Sequence, residues 1–156
     1  MAFQTASSDA SSIAKYIVSY CIKNNNPVTN LKLQKMIYFI WVDYYKQTRK
    51  TLFDDNFYAW QLGPVVPSVY FNYCSYGGLP IIPLFDNHLP DIILTTDLQS
   101  TLPDIIDKYM PLSARTLVDK THADGTPWSI VFDNGRGNRS EIPFSLIREK
   151  EGGFNE

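Results

Sequence analysis

The sequence predicts an α+β fold that is predominantly helical, with helices packed around a long central apolar helix and a small β-sheet. Residues 31–50 contain neither glycine nor proline and place apolar side chains around most of a helical wheel. Residues 57–62 alternate like a strand with one buried face. Elsewhere, short periodic segments are separated by glycine and proline, a pattern typical of further helices joined by turns.

The composition is that of one folded domain. The 156 residues are 44% hydrophobic and 19% charged, which excludes the class of charge-rich, aromatic-poor disordered chains. We therefore expect a single domain over residues 8–150, with mobile ends at 1–7 and 151–156. The net charge of -2 gives no general attraction to phosphate backbones, so no nucleic-acid partner is expected.

Cysteine usage and hydropathy predict a cytoplasmic protein. Cys21 and Cys74 are the only cysteines, too few for a disulfide framework and without the paired short spacing of a zinc site. We therefore expect no metal or other cofactor. No uninterrupted apolar run approaches the roughly 20 residues of a membrane span, so no membrane partner is expected. The oligomeric state stays open.

The first two helices are predicted from caps and periodicity. Ser8 or Ser11 can cap a helix that ends by residues 24–26. Thr29 is suited to cap the next helix, which covers residues 31–50. The polar sector of that second helix is narrow, so most of its surface is expected to be buried.

The middle of the chain predicts a strand, a turn and a third helix. The strand at 57–62 is expected to stop at Gly63 and Pro64. Pro67 suits the first turn of a helix, and Gly77 provides its flexible exit.

The second half of the chain predicts shorter elements. Segment 79–96 is punctuated by proline and is expected to be a loop with strands at 81–82 and 92–94. A helix capped by Thr96 or Asp97 should follow, and another is expected at residues 113–121. The tail is expected to add one strand and a frayed helix.

No assembled catalytic set is visible, so the chain is not predicted to be an enzyme. One alternative is a small cysteine- or carboxylate-dependent enzyme, in which Cys74 would act as a nucleophile beside His88 or His122. The candidate carboxylates are Asp54, Asp55, Asp104 and Asp107. The simpler interpretation is a buried Cys74 thiol, surface histidines, and carboxylates that satisfy a turn and a helix N-terminus.

Two blocks of sequence resemble the signature of a known family. They are Asn30-Leu31-Lys32-Leu33-Gln34-Lys35, followed by Ile37-Tyr38, and Trp60-Gln61-Leu62-Gly63-Pro64-Val65. Further matches are Leu52-Phe53-Asp54-Asp55, Tyr70, Tyr76-Gly77, Gly125-Thr126-Pro127-Trp128-Ser129 and Ile142-Pro143. In order and spacing these segments resemble the Panacea, or SocA-like, antitoxin domain of phage-associated proteins and of antitoxins paired with a neighbouring toxin gene. Segment 79–96 has no match.

The resemblance implies a non-enzymatic antitoxin that neutralises a cognate protein toxin by direct protein-protein binding. Candidate partner-binding residues are Gln34, Lys35, Tyr38, Phe39, Trp60 and Tyr70. Candidate structural residues are Leu33, Gly63, Pro64, Val65, Pro127 and Trp128. Lys35 and Phe39 are expected on the polar stripe of the second helix, as a docking spot, unless another helix covers Phe39.

Two alternatives to these assignments stay open. For Gln34, Tyr38 and Trp60, structural roles inside the fold are the favoured interpretation. The protein as a whole could instead be an adaptor that presents its partner to a protease, with the two chain ends as handles.

Overall fold

Seven α-helices and a three-stranded antiparallel sheet make up the described part of the protein, residues 8–82 and 94–152 of a computed structural model. In chain order the elements are α1 (Ala10–Lys23), α2 (Asn30–Thr48), β1 (Phe57–Trp60), β2 (Gly63–Val65), α3 (Pro67–Tyr73), α4 (Thr96–Tyr109), α5 (Ala114–His122), α6 (Pro127–Phe132), β3 (Glu141–Ile142) and α7 (Phe144–Glu151). The sheet order is β2-β1-β3. The predicted α+β, predominantly helical class is confirmed.

Helix α2 packs against α1, α3, α4, α5 and β2. Its N-terminus is capped as predicted, because the Thr29 hydroxyl accepts a hydrogen bond from the Lys32 amide at 3.2 Å. Four polar side chains of this helix are nevertheless buried: Asn30, Gln34, Lys35 and Asp43. The helix is therefore less apolar than expected, and the prediction of a central apolar helix is not confirmed in that form.

The sheet is built on a hairpin that the sequence did not predict. Strand β1 ends at Trp60, and Gly63, expected to stop the strand, instead begins β2. Trp60 and Gly63 are paired residues of the two antiparallel strands. All three residues of β2 are buried, because α2 and α5 both pack against it. On the other side of β1, Phe57 pairs with Ile142 of β3.

Two helix caps lie one residue away from the nearer of the two predicted candidates. Helix α1 is capped by Asp9, whose Oδ1 accepts a hydrogen bond from the Ser12 amide at 2.8 Å. Helix α4 is capped by Thr95, whose hydroxyl accepts from the Leu98 amide at 3.4 Å. In both cases a side-chain oxygen satisfies an otherwise unpaired amide of the first turn. Helix α5 begins after Ser113, as expected.

Several predictions fall wholly or partly outside the described residues, which exclude 1–7, 83–93 and 153–156. They concern the two chain ends, most of segment 79–96 and the strand at 92–94. No strand forms at 81–82, where one backbone hydrogen bond of 2.8 Å joins the Ile81 amide to the Val28 carbonyl. Helix α7 continues through Glu151, one residue into the expected C-terminal tail. None of the helices in the described ranges combines the length and apolarity required to cross a membrane.

The hairpin turn requires glycine at position 63. Gly63 has a φ of +118°, and a Cβ atom there would lie 2.8 Å from Thr121 Oγ1 and 2.9 Å from Lys35 Cε. Both contacts are too short for a real side chain, and the backbone conformation is one that other residues rarely adopt.

Gly63→Ala is therefore expected to lower the free energy of unfolding by about 1–3 kcal/mol. Gly78→Ala is the matched control, because nothing lies within 4 Å of the added Cβ there. Urea denaturation of both variants and the parent chain measures the difference. Equal losses in the two variants would contradict the prediction.

Candidate functional site

A relay of buried side-chain hydrogen bonds ties α2 to the hairpin and to α3. The Asn30 amide nitrogen donates to the Tyr70 carbonyl at 3.1 Å, and the Gln34 amide nitrogen donates to Asn30 Oδ1 at 3.0 Å. Gln34 Oε1 accepts from the Val66 amide at 3.1 Å. Val66 precedes α3, and no side chain caps that helix, so Gln34 satisfies an amide that would otherwise be buried unpaired.

Lys35 lies beside this relay and is completely buried. The expectation that it belongs to an exposed polar stripe is wrong, because α5 and β2 pack over that sector of α2. Its ammonium donates to the Pro64 carbonyl at 2.8 Å, an approach that the missing side chain of Gly63 permits. Burial lowers the pKa of Lys35 from 10.5 to about 7.

The other two candidates on α2 also face inward. Tyr38 is 1% exposed and packs edge-on against Phe57, with ring centres 5.2 Å apart. Burial, with the Glu151 carboxyl group nearby, raises the pKa of Tyr38. Phe39 is half-buried and stacks on Tyr109 at 5.4 Å, so the structure supports the second of the two expectations for this residue, that another helix covers it. Helix α4 covers it.

Three aromatic side chains from β1 and α3 meet at the surface. The ring centre of Trp60 lies 5.0 Å from that of Tyr70 and 6.2 Å from that of Phe71, whose residue is 60% exposed. The Arg139 guanidinium lies 4.5 Å from the centre of the Trp60 ring, a cation–π contact. We call these four residues the aromatic platform.

Neither Phe71 nor Arg139 was predicted from the sequence as a site residue. In a helix that begins at Pro67, Val69, Tyr70 and Tyr73 share one apolar face and position 71 lies off it. That position was the available signal for an exposed aromatic ring. Arg139 carried no comparable signal, because only the fold brings it over Trp60.

A cleft of about 390 Å³ lies between the relay and the platform. Four of the six predicted partner-binding residues line it, namely Gln34, Lys35, Trp60 and Tyr70, whereas Tyr38 and Phe39 do not. We call it the signature cleft. Arg139 and the exposed Leu62 also line it, and none of its described lining residues is Asp or Glu. Its walls therefore combine apolar surface with positive charge.

The predicted structural residues hold this region from behind. Leu33 and the β2 residues Gly63, Pro64 and Val65 are buried. Pro127 and Trp128 begin α6, and the Trp128 indole donates to the Trp60 carbonyl at 2.7 Å. The Trp128 ring stacks on His122 with ring centres 3.9 Å apart. Burial lowers the pKa of His122, and the charge of Lys35 acts in the same direction.

Within the described residues, no hydrogen bond connects the candidate catalytic residues of the enzymatic alternative. Cys74 is exposed, contrary to the expected buried thiol, and its sulfur donates to the Phe71 carbonyl at 3.2 Å. His122 stacks on Trp128, and no hydrogen bond links it to Cys74. His88 lies outside the described residues. The carboxylates have local roles: Asp55 accepts from the Ala10 amide, Asp107 from the Tyr20 hydroxyl, and Asp54 from the Thr51 hydroxyl.

The buried ammonium makes a pH-dependent contribution to stability. Between about pH 7 and pH 10.5 the folded chain has lost the Lys35 proton and the unfolded chain still binds it. Because the unfolded state then binds more protons, this contribution rises with pH across that window and is lost as the pH falls through 7.

The free energy of unfolding of Lys35→Met should therefore change less between about pH 6 and about pH 9 than that of the parent chain. Urea denaturation at the two pH values measures the difference. Lys15→Met, at an exposed position of α1, is the control and should keep the parent's pH dependence. A parent-like pH dependence in Lys35→Met would contradict the assignment.

Residues 33–129 match the model of the family described as "Antitoxin SocA-like, Panacea domain". The chain is also 30% identical over 140 residues to "Antitoxin SocA" of Caulobacter vibrioides (strain NA1000 / CB15N), an alignment that covers 83% of this chain and 72% of the relative. No solved structure matches. The matched region includes the first signature block from Leu33 onward, the whole second block and the cleft residues from Gln34 to Gly77. The chain therefore belongs to the Panacea-domain family of SocA-like antitoxins.

Proposed function

We propose that this protein is an antitoxin that neutralises a cognate protein toxin by direct binding in the cytoplasm, with the aromatic platform at the centre of the docking surface. The observation that carries the proposal is the cluster of half-buried Trp60 and Tyr70 with exposed Phe71, under Arg139 at the edge of the signature cleft. Family membership and the name of the Caulobacter relative support an antitoxin role.

The residue types of the platform suit a protein-protein interface. Tryptophan, tyrosine and arginine dominate the small set of residues that contribute most of the binding free energy in such interfaces. A stable complex typically buries about 1,600 Å² in total, so the platform would form the centre of a larger contact. Leu62, 54% exposed at the cleft, extends the apolar surface beside it.

The platform is also held rigid by the fold. The carbonyl of Trp60 accepts from Trp128, and the carbonyl of Tyr70 accepts from Asn30, so both backbones are fixed from the buried side. Side chains that are already ordered lose less conformational entropy on binding, which strengthens association. Neutralisation of this kind requires no chemical step, because the bound antitoxin covers the working surface of the toxin.

The decisive test begins with a small open reading frame adjacent to the gene of this protein. Expression of that frame alone should arrest growth, and co-expression with this protein should restore it. The two purified proteins should then form a complex on size-exclusion chromatography. Direct neutralisation would be contradicted if no adjacent gene product arrests growth, or if growth is restored although the two proteins form no complex. A shortened half-life of the toxin during rescue would instead favour the protease-adaptor alternative.

Phe71→Ala is expected to weaken toxin binding by about tenfold or more, equivalent to about 1.4 kcal/mol, because it removes an exposed ring from the platform. Its melting temperature should stay close to that of the parent chain, since Phe71 is 60% exposed. Isothermal titration calorimetry and thermal unfolding measure the two quantities.

Phe144→Ala is the aromatic control for this comparison. Phe144 is 40% exposed and contacts Trp41 and Tyr45, away from the signature cleft. Its removal should leave toxin affinity unchanged. Equal affinities for the toxin in the Phe71 and Phe144 variants would show that docking uses another surface.

A further inference from the structure

The signature cleft contains a buried amine without a counter-charge, Lys35, which is a cation below about pH 7. The Lys35 residue is 0% exposed, and the Pro64 carbonyl is the one acceptor that the described residues provide for the three donors of its ammonium group. A carbonyl carries only a partial negative charge. A buried ammonium that lacks a full counter-charge is costly, because it has lost its hydration without a compensating ion pair.

A second cation faces the same cleft. Arg139 stacks on Trp60, and the described residues place no carboxylate against its guanidinium. The chain has a net charge of -2, yet Asp and Glu are missing from the described lining of this cleft. The local excess of positive charge is therefore opposite in sign to the charge of the whole protein. Leu31, Leu62 and Val65 add apolar wall, which would shield an ion pair from water.

We propose that the signature cleft receives a carboxylate side chain, Asp or Glu, of the partner protein, which pairs with the exposed Arg139 and, after a local movement of the side chains that cover it, with the buried Lys35. The inference rests on the proposed function, because the aromatic platform beside the cleft would dock the same partner. The carboxylate supplies the missing counter-charge, and charge-assisted hydrogen bonds of this kind are stronger than those between neutral groups. The methylene stem of the incoming side chain lies against the aromatic and aliphatic walls.

The cleft is large enough for a side chain of the partner. A cleft of about 390 Å³ accommodates a short side chain together with the backbone that presents it. The two cations come from separate elements, α2 and the loop before β3, so an entering carboxylate would link them. Binding would also hold Lys35 in its charged form, which burial alone disfavours.

The test is a titration of the full-length chain, labelled with ¹⁵N, with N-acetyl-glutamate N-methylamide at about pH 6, where Lys35 is mostly protonated. The indole N–H signal of Trp60 should move saturably. The indole of Trp41, which donates to the Phe53 carbonyl, is the internal reference and should stay in place. The corresponding glutamine derivative should bind at least about tenfold more weakly, because it lacks the charge. Inorganic phosphate, as a third probe, should bind more weakly than the glutamate derivative.

Substitutions of Lys35 and Arg139 test separately whether each side chain binds the carboxylate. Lys35→Met keeps most of the aliphatic stem and removes the ammonium, so the Trp60 shift should disappear. Arg139→Gln should weaken binding of the glutamate probe by about tenfold. Arg136→Gln is the control: Arg136 has a side chain 78% exposed, pairs with Asp133 and does not line the cleft. This variant should bind like the parent.

Three results would overturn the inference: no saturable Trp60 shift, equal binding of the glutamate and glutamine probes, or tighter binding of phosphate. The comparison of probes uses the unaltered chain, so it decides the question even if Lys35→Met fails to fold. If the glutamate probe does not bind but Phe71→Ala still weakens toxin binding, the carboxylate inference alone is overturned. Carboxylate binding in a protein that neutralises no toxin overturns the proposed function instead.

Discussion

The contact between Lys35 and the Gly63–Pro64 backbone fixes how the longest described helix meets the sheet. The ammonium reaches the Pro64 carbonyl at 2.8 Å only because position 63 has no side chain. That approach places Gln34 within reach of the Val66 amide, and it sets where α3 begins. A larger residue at position 63 would displace α2 or α5, and the relay and the cleft would change with them.

The two signature blocks therefore share one structural role: their residues connect α2 to the hairpin. Their buried members, Gln34, Lys35 and the β2 residues, form the frame. In the function proposed above, the side chains that the frame presents, Phe71 and Arg139 among them, contact the toxin, and Lys35 is the frame residue that would also meet the partner, through the carboxylate inferred above. Loss of Gln34 or of a β2 residue would therefore cost stability, whereas loss of Phe71 would cost only affinity.

Much of the fold was predictable because local signals determine it. The Thr29 cap, the Pro67 helix start and the apolar periodicity of residues 31–50 each act within a few residues, and the structure confirms the helices they predict. Strand β2 was not predictable in this way. Its two leading residues, glycine and proline, are typical of turns, and the strand forms only because it pairs with β1 and is covered by α2 and α5.

The sequence by itself determined the fold class, the order of most elements and, through the signature blocks, the family. Only the tertiary structure decided which polar and aromatic side chains are buried. A helical wheel ranks the faces of α2 but contains no information about neighbours more than 60 residues away. Helices α4 and α5 are such neighbours: α4 covers Phe39, and α5 covers Lys35. When two helices pack together, water is excluded from both contact surfaces, including the polar side chains that lie there.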